Sequence, residues 1–386
     1  MNGPLRIAIL AHSTNPRGGV VHALELGDAL TRLGHDVTVH APDAGGAGFF
    51  RATVCKTVRV PASLAPRDVR QMAELRIADY LRHFERAQHR RFDVWHAQDG
   101  ISGNALATLA ARRLIAGFAR TVHHVDDFAD PALNALQRRG IAAADRLFTV
   151  SRFWRDWLKN ELGRDATIVG NGVDLRRFSP HGDDTDARLR ARLDLPPGAI
   201  VFLAIGGVEE RKNTLRLLQA FARVHAEHPQ ARLIVAGGAS LLDHDAYQAR
   251  VAAALATAKL PAGAVIATGP LPQDLMPALY RAAAVLAFPS LREGFGLVIL
   301  EAMASGLPVV TSRIPPFTEY LGEADVAWCD PHDVTSIAGA MAGALDPVCR
   351  AGLRARGLVV AARHDWAATA RAHLPSYEQL RERVDA

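Results

Sequence analysis

The chain has 386 residues, of which 49% are hydrophobic and 22% charged, with a formal net charge of +5. This balance indicates a folded globular protein and excludes a disordered one, and the length fits two domains of ordinary size. Three isolated cysteines, at positions 55, 329 and 349, argue against a disulfide scaffold or a cysteine zinc site.

No apolar run is long enough to span a membrane, and no signal-peptide pattern precedes the first strand, so we expect a cytoplasmic location. The modest positive charge suits an anionic ligand or an anionic surface. No zinc-finger or RNP-type signature is found, so we expect no nucleic-acid partner. The oligomeric state is not indicated.

Short apolar strands alternate with helical stretches through the first half of the chain, where the predicted strands are 6–10, 37–39, 94–96, 121–123 and 147–150. The alternation restarts after a polar stretch at 179–198, with predicted strands 201–205, 233–236, 265–268, 285–288 and 309–311. This order favours parallel sheets with right-handed crossovers. We therefore predict an α/β fold of two facing, Rossmann-like, doubly wound domains, 1–172 and 173–364. Ligands are expected at the carboxyl edges of the strands, in a cleft.

Residues 289–311, P-S-L-R-E-G-F-G-L-V-I-L-E-A-M-A-S-G-L-P-V-V-T, place two glutamates around a glycine-rich turn. Glu293 lies in a predicted loop and Glu301 inside the following helix. The glycines let backbone N–H groups approach a ligand, and the helix N-terminus favours a phosphate or a developing negative charge. Two carboxylates so placed can reach different hydroxyls of one elongated ligand. The alternative is an ordinary loop-to-helix junction with two solvated carboxylates.

The segment resembles the Glu-x7-Glu signature of retaining glycosyltransferases with the GT-B fold, in particular family 4 (glycosyl transferases group 1). The resemblance implies a nucleoside-diphosphate sugar as donor, with no cofactor and no metal. It implies that Glu293 contacts the hydroxyls of the donor sugar and that Glu301 holds the ribose. The positions that would line the sugar and phosphates are Gly294, Phe295, Gly296 and Leu297. It also implies that a C-terminal helix, 365–386, crosses back to the first domain.

Residues 204–214, A-I-G-G-V-E-E-R-K-N-T, lead from a strand through two glycines to two adjacent cations. Arg211 and Lys212 can neutralise a diphosphate leaving group. The segment is similar to the phosphate-binding segment of the family, in which an Arg follows the glycine and a Lys comes five residues later. Lys212 matches the Lys, but Gly207, a predicted donor-binding position, stands in place of the Arg. We expect Arg211 to supply that charge; a solvated basic pair at a helix start is the alternative.

Residues 11–20, A-H-S-T-N-P-R-G-G-V, connect the first strand to the first helix. They resemble the glycine-rich, donor-facing loop that opens family 4 enzymes, in which Gly18 and Gly19 would bring backbone amides toward the diphosphate. The G-x-G-x-x-G dinucleotide fingerprint is absent. A plain tight turn is the alternative.

The acceptor is expected to meet polar residues at two further strand ends. In T-V-H-H-V-D-D-F (121–128), His123 matches by resemblance a catalytic-site histidine near the donor sugar and the acceptor. His124 and Asp126 could orient an acceptor hydroxyl, although a metal cluster is a competing interpretation. In W-H-A-Q-D (95–99), His96 and Asp99 could select the acceptor, but a core or loop role fits each equally.

The stretch 67–91 is predicted as one long helix with an apolar face and many arginines. Such a basic amphipathic helix could contact the inner face of a membrane, whereas a core-packing helix with a solvated face is the commoner case.

Together these patterns predict a retaining, metal-independent glycosyltransferase. The catalytic group would comprise Glu293, Arg211, Lys212 and His123, acting on a hydroxyl of a glycan, a lipid or a small molecule. Two alternatives are a nucleotide-sugar epimerase on the same fold and a non-catalytic subunit that binds a nucleotide sugar.

Overall fold

A computed structural model of the chain describes residues 3–238 and 244–385. The chain divides into two compact units, Met1–Asn171 with Trp366–Ala386 (unit 1) and Gly172–Asp365 (unit 2). Each unit is built on one parallel sheet, and in each the connections between strands run mostly through helices.

Within the described residues, the sheet of unit 1 has seven strands in the order β3-β2-β1-β4-β5-β6-β7. These strands are β1 (Arg6–Leu10), β2 (Asp36–Asp43), β3 (Lys56–Pro61), β4 (Val94–Ala97), β5 (Ala119–Val122), β6 (Arg146–Thr149) and β7 (Thr167–Ile168). The sheet of unit 2 has six described strands in the order β10-β9-β8-β11-β12-β13. They are β8 (Ile200–Ile205), β9 (Ala231–Ala236), β10 (Val265–Gly269), β11 (Val285–Phe288), β12 (Val309–Ser312) and β13 (Ala327–Cys329).

The helices follow the strands in the alternating order that parallel crossovers require. Those of the first half are α1 (Gly18–Arg32), α2 (Val69–Phe84), α3 (Gly100–Ala111), α4 (Pro131–Ala142), α5 (Arg152–Leu162) and α6 (Asp184–Arg192). The later ones are α7 (Thr214–Glu227), α8 (Asp245–Thr257), α9 (Met276–Ala282), α10 (Leu297–Ala304), α11 (Phe317–Tyr320), α12 (Val334–Gly343), α13 (Pro347–Ala362) and α14 (Trp366–Asp385).

The predicted α/β fold of two doubly wound parallel sheets is confirmed, and each predicted strand overlaps an observed one. Strands β3, β7 and β13, which were not predicted, all lie at sheet edges. In β3 only Val60 is buried, and β7 and β13 have two and three residues. Short or solvated edge strands lack the apolar run that reveals a central strand.

The prediction of one helix over 67–91 is wrong in its extent. Helix α2 ends at Phe84, and a separate 3-10 turn follows at Ala87–His89. Its basic face is also less free than the sequence suggested, because Arg76 is buried and paired with Asp79. No described helix is both long enough and apolar enough to cross a membrane.

Helix α14 returns to unit 1 and packs on α1, as the resemblance implied. The Trp366 ring lies 5.4 Å from that of His22 on α1. Further along α14, the buried Tyr377 hydroxyl lies 2.7 Å from Nδ1 of His96 at the carboxyl end of β4. The last helix therefore contributes side chains to the polar interior of unit 1.

Candidate active site

Three charged side chains of unit 2 meet at the carboxyl ends of β8 and β11, which are neighbouring strands. Arg211 and Lys212 follow β8, and Glu293 follows β11. The Glu293 Oε1 atom lies 2.5 Å from Nζ of Lys212 and 3.1 Å from Nη1 of Arg211. Loops after adjacent parallel strands open on the same edge of a sheet, which is why residues about 80 positions apart come together.

This cluster is largely removed from solvent, with 9% of the Glu293 side chain and 11% of the Lys212 side chain exposed. Burial alone raises the pKa of Glu293, but the charges of Lys212 and Arg211 outweigh it and hold that pKa below its ordinary value. Burial lowers the pKa of Lys212, and Glu293 opposes this effect. The Lys212 ammonium also lies 4.5 Å from the ring centroid of Phe288. A buried, hydrogen-bonded ion pair of this kind holds its members in one geometry.

Glu209 balances the second cation. Its carboxylate is buried, and Oε2 lies 3.0 Å from Nε of Arg211. Arg211 is more exposed than Lys212, with 38% of its side chain accessible. Glu209, Glu293, Arg211 and Lys212 together carry no net charge. Arg211 is the more exposed of the two cations.

The glycine pair after β8 makes room for the lysine. Gly206 has φ +122°, and a Cβ atom there would lie 2.5 Å from Cε of Lys212. Gly207 has φ +74°. A side chain at either position would strain the backbone, and one at Gly206 would displace Lys212 as well. The side chain of Lys212 therefore passes directly over the turn that the sequence marked as phosphate-binding.

The two cations lie in a 3-10 turn, Glu210–Lys212, which precedes α7. Asn213, with φ +60°, separates this turn from α7. Its buried side-chain amide donates to the carbonyls of Pro289 and Pro331, at 3.0 and 2.7 Å. The backbone N–H of Leu291 donates to the Arg211 carbonyl at 2.8 Å. These bonds tie the cation turn to the loop that carries Glu293.

The predicted loop-to-helix junction is present. Gly296, with φ +94°, precedes α10, and a Cβ there would lie 2.8 Å from Cε1 of Phe317. Helix α10 begins at Leu297, and its N-cap residue, Gly296, has no side chain to cap the helix amides. Phe295 is buried and stacks on Tyr320, with ring centroids 4.6 Å apart and planes at 3°. The uncapped helix end beside a fixed turn suits an anionic ligand.

Glu301 lies within α10, as predicted, and is held by a residue that the sequence analysis did not identify. Oη of the buried Tyr280 donates to Oε2 of Glu301 at 2.5 Å. Burial raises the pKa of Glu301. Its carboxylate is thus oriented by one strong hydrogen bond, with the other oxygen left for further partners.

The predicted glycine pair of unit 1 and His123 meet at the start of α1. Gly18 is its first residue. A Cβ at Gly19 would lie 3.5 Å from Cδ2 of His123, the first residue after β5. Nε2 of His123 lies 3.0 Å from Oε1 of Gln98. The structure therefore brings the glycine turn and the predicted histidine together.

His96 is not placed to select an acceptor. It is fully buried, with Nε2 2.8 Å from Oγ1 of Thr121 and Nδ1 2.7 Å from the Tyr377 hydroxyl. Both of its nitrogens serve the interior of unit 1, so the acceptor-side role predicted for His96 gives way to the core role that the sequence equally allowed. Asp99 caps α3 by accepting from the Ser102 N–H at 2.9 Å. Its Oδ2 lies 3.6 Å from Nδ1 of His12.

His124 is exposed, and its Nε2 lies 3.4 Å from Oδ2 of the half-buried Asp126. The backbone of Asp126 is fixed on both sides by the amide of Gln137, at 2.9 and 2.8 Å. In the described parts of the chain, no three His, Cys, Asp or Glu side chains gather as metal ligands would. The competing interpretation of 121–128 as a metal cluster gains no support from the geometry.

Comparisons with known proteins identify the family of the chain. The family profile described as Glycosyl transferases group 1 matches residues 185–347, and that described as Glycosyltransferase Family 4 matches residues 16–177. The chain is 31% identical to a D-inositol 3-phosphate glycosyltransferase of Xylanimonas cellulosilytica over all of this chain and 99% of the relative.

Two solved structures share the fold. Sucrose-phosphate synthase from Thermosynechococcus elongatus superposes with a TM-score of 0.80 at 23% identity, over 98% of this chain and 99% of that one. Anabaena Alr3699/HepE in complex with UDP-glucose superposes with a TM-score of 0.76 at 17% identity, over 97% and 100%. This chain is a glycosyltransferase that belongs to family 4, the glycosyl transferases group 1, and has the GT-B fold.

Proposed function

We propose that the enzyme transfers a sugar from a nucleoside-diphosphate sugar to a hydroxyl acceptor, with retention of the anomeric configuration and without a metal. The observation that carries this proposal is the buried cluster of Glu293, Lys212 and Arg211 beside the uncapped start of α10. Such a cluster offers two cations and helix amides to a diphosphate and a carboxylate to the sugar. The relative solved with UDP-glucose supports a donor of this class.

In this proposal the diphosphate is the leaving group. As the bond from the anomeric carbon to the phosphate oxygen breaks, its electron pair moves to the diphosphate. Arg211, Lys212 and the α10 amides stabilise that charge. An oxocarbenium-like centre develops on the sugar, and Glu293 orients the sugar hydroxyls. The acceptor hydroxyl attacks on the same face and passes its proton to a phosphate oxygen, so no side chain acts as the base.

Arg211 supplies the positive charge of the family arginine whose position is occupied by Gly207 in this chain. Its guanidinium is the exposed member of the cation pair, while Lys212 is held against Glu293. When a diphosphate arrives, Arg211 can bind it as a fork while remaining paired with Glu209. Gly207 contributes backbone close to the phosphates instead of a side chain.

We assign nucleotide binding to unit 2 and acceptor binding to unit 1. Glu301, oriented by Tyr280, is proposed to accept from the ribose hydroxyls. His123 contacts the sugar and the incoming hydroxyl, and His124 and Asp126 orient the acceptor. The acceptor class remains a hydroxyl compound: a glycan, a lipid or a small molecule.

A panel of UDP-, GDP- and ADP-sugars, tested by thermal shift and turnover in EDTA, tests this proposal. We expect one nucleotide series to stabilise the protein and to be slowly hydrolysed without an acceptor. Stabilisation that requires a divalent metal would overturn metal independence. Binding without any turnover would favour a non-catalytic subunit, and conversion to a new sugar nucleotide would favour an epimerase.

A further inference from the structure

Gln98 connects two histidines in the interior of unit 1. It follows β4, and its side chain is buried. Its Oε1 atom lies 2.9 Å from Nδ1 of His22 on α1 and 3.0 Å from Nε2 of His123 after β5. We infer that Gln98 is a positioning residue that fixes His123 in the tautomer protonated at Nε2, which leaves Nδ1 as a hydrogen-bond acceptor for a substrate hydroxyl.

The orientation of the Gln98 amide follows from the neighbours of His22. That ring is fully buried, and its Nε2 has no hydrogen-bond partner among the described residues. A buried N–H without a partner is costlier than a bare lone pair, so the proton of His22 belongs on Nδ1. Nδ1–H then donates to Gln98, and the atom facing it must be the amide oxygen.

The other side of the Gln98 amide does not contradict this orientation. Its Nε2 lies 3.4 Å from both nitrogens of His96, and each of those nitrogens already has a nearer partner. Those partners are Thr121 and Tyr377. The pair of contacts to His22 and His123 therefore decides which way the amide points.

One amide oxygen has two lone pairs and donates nothing. Because Oε1 of Gln98 already faces Nδ1–H of His22, its second lone pair requires an N–H from His123. The proton of His123 is thereby placed on Nε2. Burial keeps His123 neutral by lowering its pKa, and the surrounding cationic and titratable groups act in the same direction: His22 on α1, His124 in its own loop, Arg120 on β5 and His373 on α14.

The consequence for the reaction rests on the proposed function. A hydroxyl that meets His123 must donate to Nδ1, so the ring binds sugar or acceptor as a neutral acceptor of a hydrogen bond. Fixing a tautomer through a second residue is a known way to set what an imidazole can do. The substitution Gln98→Leu removes the amide at similar size, and Gln98→Glu keeps an oxygen that can accept from both rings.

The test is nitrogen NMR of the full chain labelled with 15N-histidine, with the His123 signals assigned by His123→Asn. We expect the Nε2–H tautomer in the wild type, a mixture of tautomers in Gln98→Leu, and the Nε2–H tautomer again in Gln98→Glu. In Gln98→Glu the His123 pKa should also rise, because the new carboxylate faces the ring. The exposed Gln379, bonded to Arg146, gives the control Gln379→Leu, which should change nothing.

An Nδ1–H tautomer in the wild type would overturn the inference, as would an unchanged tautomer in Gln98→Leu. If Gln98→Leu fails to fold, a His123 that keeps its wild-type pKa in Gln98→Glu overturns it. Transfer kinetics supply a separate readout: we expect kcat/KM to fall about tenfold in Gln98→Leu, the size of one lost hydrogen bond. An NMR result as expected in a protein that transfers nothing would refute the proposed function and leave this inference standing.

Discussion

Replacing Lys212 with Met should destabilise unit 2 much more than removing an exposed lysine that makes a similar ion pair. The Lys212 Nζ lies 2.5 Å from Oε1 of Glu293, with 11% and 9% of the two side chains exposed. At an effective dielectric constant of about 20, that distance corresponds to about 7 kcal/mol of gross attraction. Desolvation offsets much of it. Because Arg211 remains 3.1 Å from the buried carboxylate, we expect a net cost at the lower end of the range for a broken buried pair, about 3 kcal/mol.

For a unit of this size, about 3 °C of Tm per kcal/mol gives an expected loss of about 10 °C. The control is Lys56→Met, whose Nζ lies 2.7 Å from Oδ1 of Asp36 with 68% and 49% of the side chains exposed. That exposed pair should contribute less than about 1 kcal/mol. Scanning calorimetry of both variants at pH 7 and low salt measures the difference. Equal Tm losses for Lys212→Met and Lys56→Met would refute the argument from burial.

Three further predictions concern the same unit. Burial raises the pKa of Glu301 in the folded state, so the free energy of unfolding should fall as pH rises through that pKa. In Glu301→Gln, the unfolding free energy measured in urea should depend less on pH between about 4 and 8. Parallel pH profiles of the wild type and the variant would contradict this. The pKa of Glu293 is held low, so its stabilising contribution is present above the ordinary carboxyl pKa and is lost as pH falls toward the folded pKa. Glu293→Gln should lack that loss of stability at acid pH. Because the cluster then carries a charge of +1, the variant should bind nucleoside diphosphate more tightly in titration calorimetry, while its turnover should drop. Gly206→Ala should displace Lys212 and lower kcat more than about tenfold. The control Gly339→Ala, in α12 with open space around it, should leave kcat unchanged and gain about 0.5–1 kcal/mol of stability. Equal kcat values in both variants would show that the Gly206 turn does not position the lysine.

The segment around α10 was predictable because local chemistry marks it at every step. Gly296 adopts the positive φ that glycine favours, Glu301 falls inside the helix, and the helix ends before Gly306, whose φ is +72°. Residue type alone indicates backbone requirements of this kind. The positions of Glu293 and Glu301 on loop and helix could therefore be inferred without any tertiary contact.

The partners of these residues could not be inferred in the same way. Tyr280 holds Glu301 from 21 positions away, and Gln98 joins His22 to His123 across 76 and 25 positions. Such contacts depend on strand order and on the rotamers of packed side chains, neither of which a periodic pattern contains.

His96 and Arg76 are more deeply buried than their residue types suggest. Both are polar. For His96 an acceptor-side role was predicted beside an equally open core role, and Arg76 belongs to the arginines of 67–91, which were expected on a solvated helix face. His96 is buried because Thr121 and Tyr377 satisfy both of its nitrogens, and Arg76 is buried because Asp79 neutralises it. A polar residue can enter a core when tertiary partners satisfy it, and residue type alone does not reveal those partners.

The measurement that tests the central claim most directly is release of nucleoside diphosphate from the preferred sugar donor, in EDTA, by the wild type and by Arg211→Ala/Lys212→Ala. If these cations stabilise the departing diphosphate, the wild type should turn over without metal, and the double variant should lose at least about 100-fold in kcat. Circular dichroism should first confirm that the double variant is folded. Wild-type kcat in the folded double variant would contradict the account.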